Sequence, residues 1–141
     1  MHTPVRNAED FTWLISRFAD ATSGVRQAIV VSSDGVLMAS SDEVREHGEQ
    51  LSAIVSGLQS LSVSTAQMFA KGEVEQLLLR MRQGHLVVMS VSGGSSLAVL
   101  TAPEADMKII GHQMSLLIDS VAHALTPQLR TELLRNEEAR C

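Results

Sequence analysis

Three stretches of the chain repeat apolar residues at the interval of a helix. Phe11, Leu14, Ile15 and Phe18 fall at i, i+3, i+4 and i+7. Asn7 offers an N-cap with Asp10 three residues on, and Gly24 is placed to end a first helix running to about Ala21. Met107, Ile110, Met114, Leu117, Val121 and Leu125 mark a late helix in the same way. Between them, Gln50–Phe69 predicts a helix without one charged residue, although a surface helix normally keeps charges on its wet side. At about 100° per residue, Leu51, Ile54, Val55, Leu58, Leu61, Ala66 and Phe69 make its apolar stripe. Ala53, Ser56, Gly57, Ser60, Ser64 and Gln67, all uncharged and mostly small, make the opposite side. Something must meet that second side. Trp13 lies far from the first helix's stripe, as a lid on a neighbouring element or as an exposed contact.

The strands announce themselves differently. Gln27–Ser32 and Val36–Ser40 are β-rich runs flanking Asp34-Gly35, the pair favoured where both turn residues need positive φ. The runs "VEQLLLRMR" and "HLVVMSVS" form a second hairpin across Gln83-Gly84, and "SLAVLTA" returns across Gly93-Gly94. Ile29–Val31, Leu77–Leu79 and Leu86–Met89 are unbroken apolar runs, so both faces of the sheet need covering. Lys71-Gly72 is read as the close of the uncharged helix, with Gly72 at its C′ position. The element order is α-β-β-α-β-β-β-α. Hairpins make every strand connection except the one through the middle helix, which predicts an α/β (α+β) domain with an antiparallel sheet covered by helices on both faces. Residues 1–7 read as a loose tail, 8–126 as the domain, and 127–141 as a C-terminal helical extension, a charged amphipathic turn or two after Pro127.

Composition narrows the chemistry. With 141 residues, 45% of them hydrophobic and 19% charged, one ordinary globular core is expected. A net charge of −5 with no Tyr and 3% aromatics disfavours nucleic-acid binding, which needs basic surface and stacking rings. The single cysteine, Cys141, rules out an internal disulfide framework and fits a reducing compartment. No apolar run reaches the roughly 20 residues of a membrane span, and no secretory leader is apparent, so a cytoplasmic protein is the expectation.

No catalytic constellation emerges. "SGGSS" has neither phosphate-loop spacing and lies between strands, which makes it a turn. His112, Asp119 and His123 share one side of the late helix, but the two histidines would stand about 16 Å apart along its axis, too far for one metal. Asp119 and His123 fit a solvated i, i+4 pair, His47 a polar stretch near Glu43, and His85 follows a turn glycine with no ligand-type residue close by. There is no nucleophile elbow of the G-x-S-x-G kind. The expectation is a protein that is not an enzyme and carries no cofactor or metal.

"GVRQAIVVSSDGVLMASS", "QLSAIVSGLQSLSVSTAQMFAKGEVEQLLLRM", "LVVMSVSGGSSLAVLTAP" and "IIGHQMSLLIDSVAHALTPQLRTEL" together resemble the Roadblock/dynein-light-chain family. The likeness is nearest to its bacterial branch of MglB-like regulators and actinobacterial conservon proteins, and covers about Phe11 to Leu134. It implies a five-stranded antiparallel sheet with the middle helix on one face and the first and last helices on the other. It also implies a homodimer made through the third strand and middle helix, and a small Ras-like GTPase as partner, in a cassette with a sensor histidine kinase and an accessory protein. Through such a partner the protein could be recruited to a membrane. Two other readings stay open: a small-ligand sensor of PAS or profilin-like type, and an unrecognised hydrolase.

The resemblance supplies an answer to the uncharged helix. Ser56, Ser60 and Ser64 recur every four residues beside Gly57, a spacing that keeps one line of a helix low enough for close approach. The family order puts Val74–Met81 at the sheet edge, where its Leu77-Leu78-Leu79 centre would be an aggregation hazard if left bare. The expected dimer interface is therefore Ser56, Gly57, Ser60, Val63, Ser64 and Gln67 of the helix with Val74, Glu75, Gln76, Leu77, Leu78, Leu79 and Arg80 of the strand. Arg80 and Arg82 are also candidate partner contacts.

Overall fold

A computed structural model describes residues 7–122 and 126–139, with side chains described as far as 135. Helix α1 (Ala8–Ala21) leads into β1 (Val25–Val31) and β2 (Leu37–Ser40). The long α2 (Arg45–Met68) follows, then β3 (Gln76–Met81), β4 (Gly84–Ser90) and β5 (Ser96–Thr101). The chain ends in α3 (Met107–Ala122) and α4 (Pro127–Ala139). All strand pairs are antiparallel, in the order β2-β1-β5-β4-β3. The antiparallel five-stranded sheet is as the hairpin reading predicts.

Alternation along the strands splits the core in two. Ile29, Val31, Leu86, Val88 and Ala98 turn to one face and pack with Leu51 and Val55 of α2. Ala28, Val30, Val87, Leu97 and Val99 turn to the other, where α1 supplies Phe11, Ile15 and Phe18 and α3 supplies Ile110, Met114, Leu117 and Val121. Leu125, expected in the same stripe, lies outside the described residues, as do His123 and Cys141. Asn7 caps α1 as expected, its side chain accepting from the Asp10 N–H at 2.9 Å. Trp13 is 47% exposed, with the Arg17 guanidinium 5.3 Å above its ring, so it is a surface contact and not a lid.

The structure differs from the sequence reading at the β1–β2 turn, at both ends of α2 and in the length and packing of the C-terminal helix. Asp34 does not share the positive φ expected of the pair: Gly35 alone has it (φ 83°), its N–H bonding to the Ser32 carbonyl. That is a longer turn with one left-handed residue, and it carries a register shift between Val30 and Val31. The helix α2 begins at Arg45, five residues earlier than its uncharged run. Its entry is held by Asp42, whose carboxylate accepts from the Val44 N–H at 2.8 Å and from the His47 ring at 2.7 Å. The His47 bond, then the Val44 bond, hold the Asp42 carboxyl below its ordinary value. A carboxyl so lowered contributes stability above its unfolded value and loses it as pH falls through the folded one. Asp42→Asn should therefore lower the urea midpoint near neutrality and change it little at acid pH, which flattens the acid side of a plot of midpoint against pH.

At its other end α2 closes earlier than Gly72. The Lys71 N–H returns to the Ala66 carbonyl at 2.9 Å, which places Ala70, with φ 53°, at the left-handed C′ position. An L-residue there is strained by about 1 kcal/mol relative to glycine. Ala70→Gly should raise the stability of the fold by up to that amount, read as a higher urea midpoint at unchanged slope.

The sequence reads 127–141 as a charged helical extension of only a turn or two. In the structure, Pro127–Ala139 is a 13-residue helix. Leu129 and Leu133 enter the core cluster of Phe11 and Ala8, and α4 lies against β2 and α1.

Candidate functional site: the bare flank of α2 and β3

The helix α2 is longer than the sheet beneath it. Its 24 residues span about 36 Å, whereas strands of six or seven residues span roughly 20–24 Å. Burial accordingly stops early. Gly48, Leu51, Ser52 and Val55 are buried, Leu58 is partly so, and the last ten residues overhang. The buried line is also rotated by about 60° from the apolar stripe, toward Ser52. Ile54, Leu61 and Phe69, predicted inside, are 55%, 69% and 62% exposed.

The consequence is an exposed apolar ridge. Ile54, Leu61 and Met68 recur at seven-residue intervals on one side of α2, with Gly57 beside them facing open space. Thr65, which bonds back to the Leu61 carbonyl, lines a cavity of about 680 Å³ together with Leu77 of β3. The ridge therefore lies on the flank of α2 turned toward β3. That strand pairs only with β4, and its outer edge is unpaired among the described residues. Leu78, Leu79 and Met81 are each at least 40% exposed, while Leu77 alone in the strand is partly covered. Such an edge, unblunted by proline or bulge, invites another chain.

The small side of α2 points elsewhere. Ser56, Ser60, Val63 and Ser64 line a cavity of about 470 Å³ bounded by the β1–β2 turn (Ser32–Asp34) and by Ser90, Gly94 and Ser96. Gln67, with Val63, borders a second cavity of about 710 Å³ whose far walls are the loop through Val74 and the β4–β5 turn. Thus the structure brings Val74–Leu77 beside Ser62, Thr65 and Ala66 of α2, next to the exposed ridge, and Val74 also beside Val63 and Gln67. Ser56, Ser60 and Ser64 turn instead to the protein's own turns. Glu75, Gln76 and Arg80 are exposed along the edge; Val74 is half-buried at its start. The sequence carried a signal for the ridge, the seven-residue spacing, but a helix uncharged all round gives no polar face to orient it.

The cavities suit neither phosphate nor acid–base chemistry. Asp34 and Glu73 are the charged groups lining the two on the serine side. Gln59 reaches across to donate to the Ser96 hydroxyl at 2.9 Å, while its buried Oε1 has no partner. Among the described residues no three His, Cys, Asp or Glu side chains gather as a metal site. His112 and Asp119 are exposed on α3, and His85 is buried beside Thr101 in the β4–β5 register. No described helix is long and apolar enough to cross a membrane.

Comparison with known proteins agrees with this architecture. The family model of the Roadblock/LC7 domain matches residues 11–101. The chain belongs to the Roadblock/LC7 family. A Roadblock/LC7 domain from Streptomyces avermitilis is 30% identical, with a TM-score of 0.77 over 81% of this chain and 96% of its own. MglB of Myxococcus xanthus shares the fold at 11% identity, with a TM-score of 0.76 over 88% of this chain and 93% of that one. The gliding protein MglB of Thermus thermophilus does so at 12% identity, with a TM-score of 0.72 over 86% and 96%. No curated protein sequence matches. The Roadblock match covers α1 through β5, the elements that build the bare flank, whereas α3 and α4 follow its end.

Proposed function

We propose that this Roadblock protein is a non-enzymatic, homodimeric binding platform for a small Ras-like GTPase, working in a signalling cassette with a sensor histidine kinase and an accessory protein. The observation that carries the reading is the bare flank, in which an apolar ridge of α2 adjoins an open β3 edge. A second copy fits it by symmetry and by charge. The stretch "EVEQLLLRMR" has Glu73 and Glu75 before its leucines and Arg80 and Arg82 after them. Antiparallel pairing of two copies sets the acidic end of each beside the basic end of the other. The fold likeness to MglB proteins supports the GTPase, and another solved neighbour is MglB with a tetrameric arrangement, a precedent for assembly in that protein. The partner surface is proposed to lie on the α2 side of the dimer. Arg80, which shares the parity of Leu78, faces the other side of β3, and Arg82 follows the strand's end, so neither arginine is proposed as a contributor. The protein works in the cytoplasm and reaches a membrane through a partner.

The test mixes the purified protein with the Ras-like GTPase encoded beside it. Binding by calorimetry is expected, with no nucleotide hydrolysis by the isolated protein; GTP turnover with and without it then tells activation from tethering. Hydrolysis by the protein alone, or no binding to such a GTPase, would overturn the reading. The cavity beside Gln59 is the observation that favours the second reading, a small-ligand sensor. Its unpartnered amide oxygen would take a donor group, and a ligand-dependent rise in melting temperature would reveal it.

A further inference from the structure

The β4–β5 turn, Ser92–Gly94 with its flanking residues, is touched from two sides of the molecule. On the α2 side, Gly93 and Gly94 wall the larger cavity and Gly94 also walls the smaller. From the other side the turn is gripped by the C-terminal helix. The Arg130 guanidinium donates to the Ser92 carbonyl at 2.5 Å and to the Gly93 carbonyl at 3.5 Å. The Ser92 hydroxyl donates to the carbonyl of Ala122, the end of α3, at 2.9 Å. Gly93 is left-handed, with φ 71°, and a Cβ there would run into the Arg130 guanidinium, so the turn and the arginine are in van der Waals contact.

The hold of α4 itself is narrow. Of its described residues, Leu129 and Leu133 alone are buried; its remaining exposed face is charged and polar. A 13-residue helix is marginal in water without tertiary support. Segments with few buried contacts open separately from the rest of a fold. Here the opening of α4 removes both carbonyl bonds from the turn at once.

We propose that α4 is a releasable latch on the α2-side surface. Docked, Arg130 fixes the β4–β5 turn and with it the outer wall of the cavities under α2; released, the turn loosens and that surface loses its fixed form. A partner that captures α4 thereby changes the surface without touching it. The regulatory half of this proposal rests on the GTPase reading above, whereas the coupling between α4 and the turn does not.

Amide exchange on the full-length chain tests the coupling. The Val91 N–H, bonded to the Ser95 carbonyl at 2.7 Å, closes the base of the turn and reports on it. In Arg130→Met its exchange should quicken by about tenfold or more while the β1 amides keep their protection. Unchanged Val91 exchange in that variant overturns the proposal. Glu132→Pro, at an exposed α4 position, should melt α4 and quicken Val91 equally, with the sheet still folded. If Glu132→Pro unfolds the sheet as well, α4 is a fixed part of the core and no latch. In binding assays, Arg130→Met should change affinity for the neighbouring GTPase by about fivefold or more. Equal affinities of the two proteins would overturn the regulatory half. If the wild type binds no GTPase, the reading above fails, and exchange alone decides the latch.

Discussion

Leu133→Ala should destabilise the protein by about 2–5 kcal/mol, far more than any substitution in a charged tail would. Leu133 is 1% exposed and shares its cluster with Ala8 and Phe11 of α1. Truncating it removes the transfer free energy of three carbons and leaves a hole that α4, fixed one turn away by Leu129, cannot fully close. For a chain of this size the melting temperature should fall by roughly 10 °C. The loss should be largest in helical signal and smaller in the exchange of β1 amides, because undocking α4 leaves the sheet folded. Leu134, one position on and partly buried, serves as the comparison, since Leu134→Ala should cost appreciably less. A drop below about 0.5 kcal/mol for Leu133→Ala would mean that α4 does not hold its place in solution.

Why does the sequence show α4 as only a charged turn or two? Its two core leucines sit at i, i+4 among Arg130, Glu132, Arg135 and two more glutamates, and a pair of apolar residues is too weak a signal against that charge. The sheet was legible for the opposite reason. Each strand is short, apolar and bounded by glycine turns, and hairpins leave few topologies to choose among. Faces were legible too, because a period of two assigns every residue once one is assigned. The setting of α2 was not. Ile54, Leu61 and Phe69 pulled the apparent stripe toward residues that overhang the sheet, and the length mismatch between helix and strand is a property of the assembled fold. Similarly, Ala70 at a position usually held by glycine follows from where the helix happens to end, two residues before Gly72. The cavities require two turns and a helix flank to converge, which no local pattern reports.

Leu61→Glu should convert a dimer to monomers while leaving each protomer as stable as before. In the isolated chain Leu61 is 69% exposed, and a substitution at such a place ordinarily moves stability by no more than about 0.5 kcal/mol. The proposed dimer changes the environment. A two-fold axis perpendicular to the sheet makes each β3 residue face one of its own parity in the partner, so Leu77, Leu79 and Met81 stay on the α2 side and Leu78 stays on the other. Both α2 helices then lie on the same face of a continuous ten-stranded sheet, with their β3-side ridges turned to each other. Two introduced carboxylates would meet there, desolvated and like-charged, and uncompensated buried charge costs about 3–5 kcal/mol. That corresponds to a dissociation constant raised by roughly 10²–10³ or more. Ser60→Glu is the control that separates this arrangement from one built on the small side of α2. Ser60 opens toward the β1–β2 turn, so its substitution should leave the dimer intact. Sedimentation across a range of concentrations reads both. A wild type that is already monomeric at high micromolar concentration, or a Leu61→Glu variant that stays dimeric, would show that the ridge of Ile54, Leu61 and Met68 serves something other than a second copy. Dissociation by Ser60→Glu in place of Leu61→Glu would return the interface to the serine face.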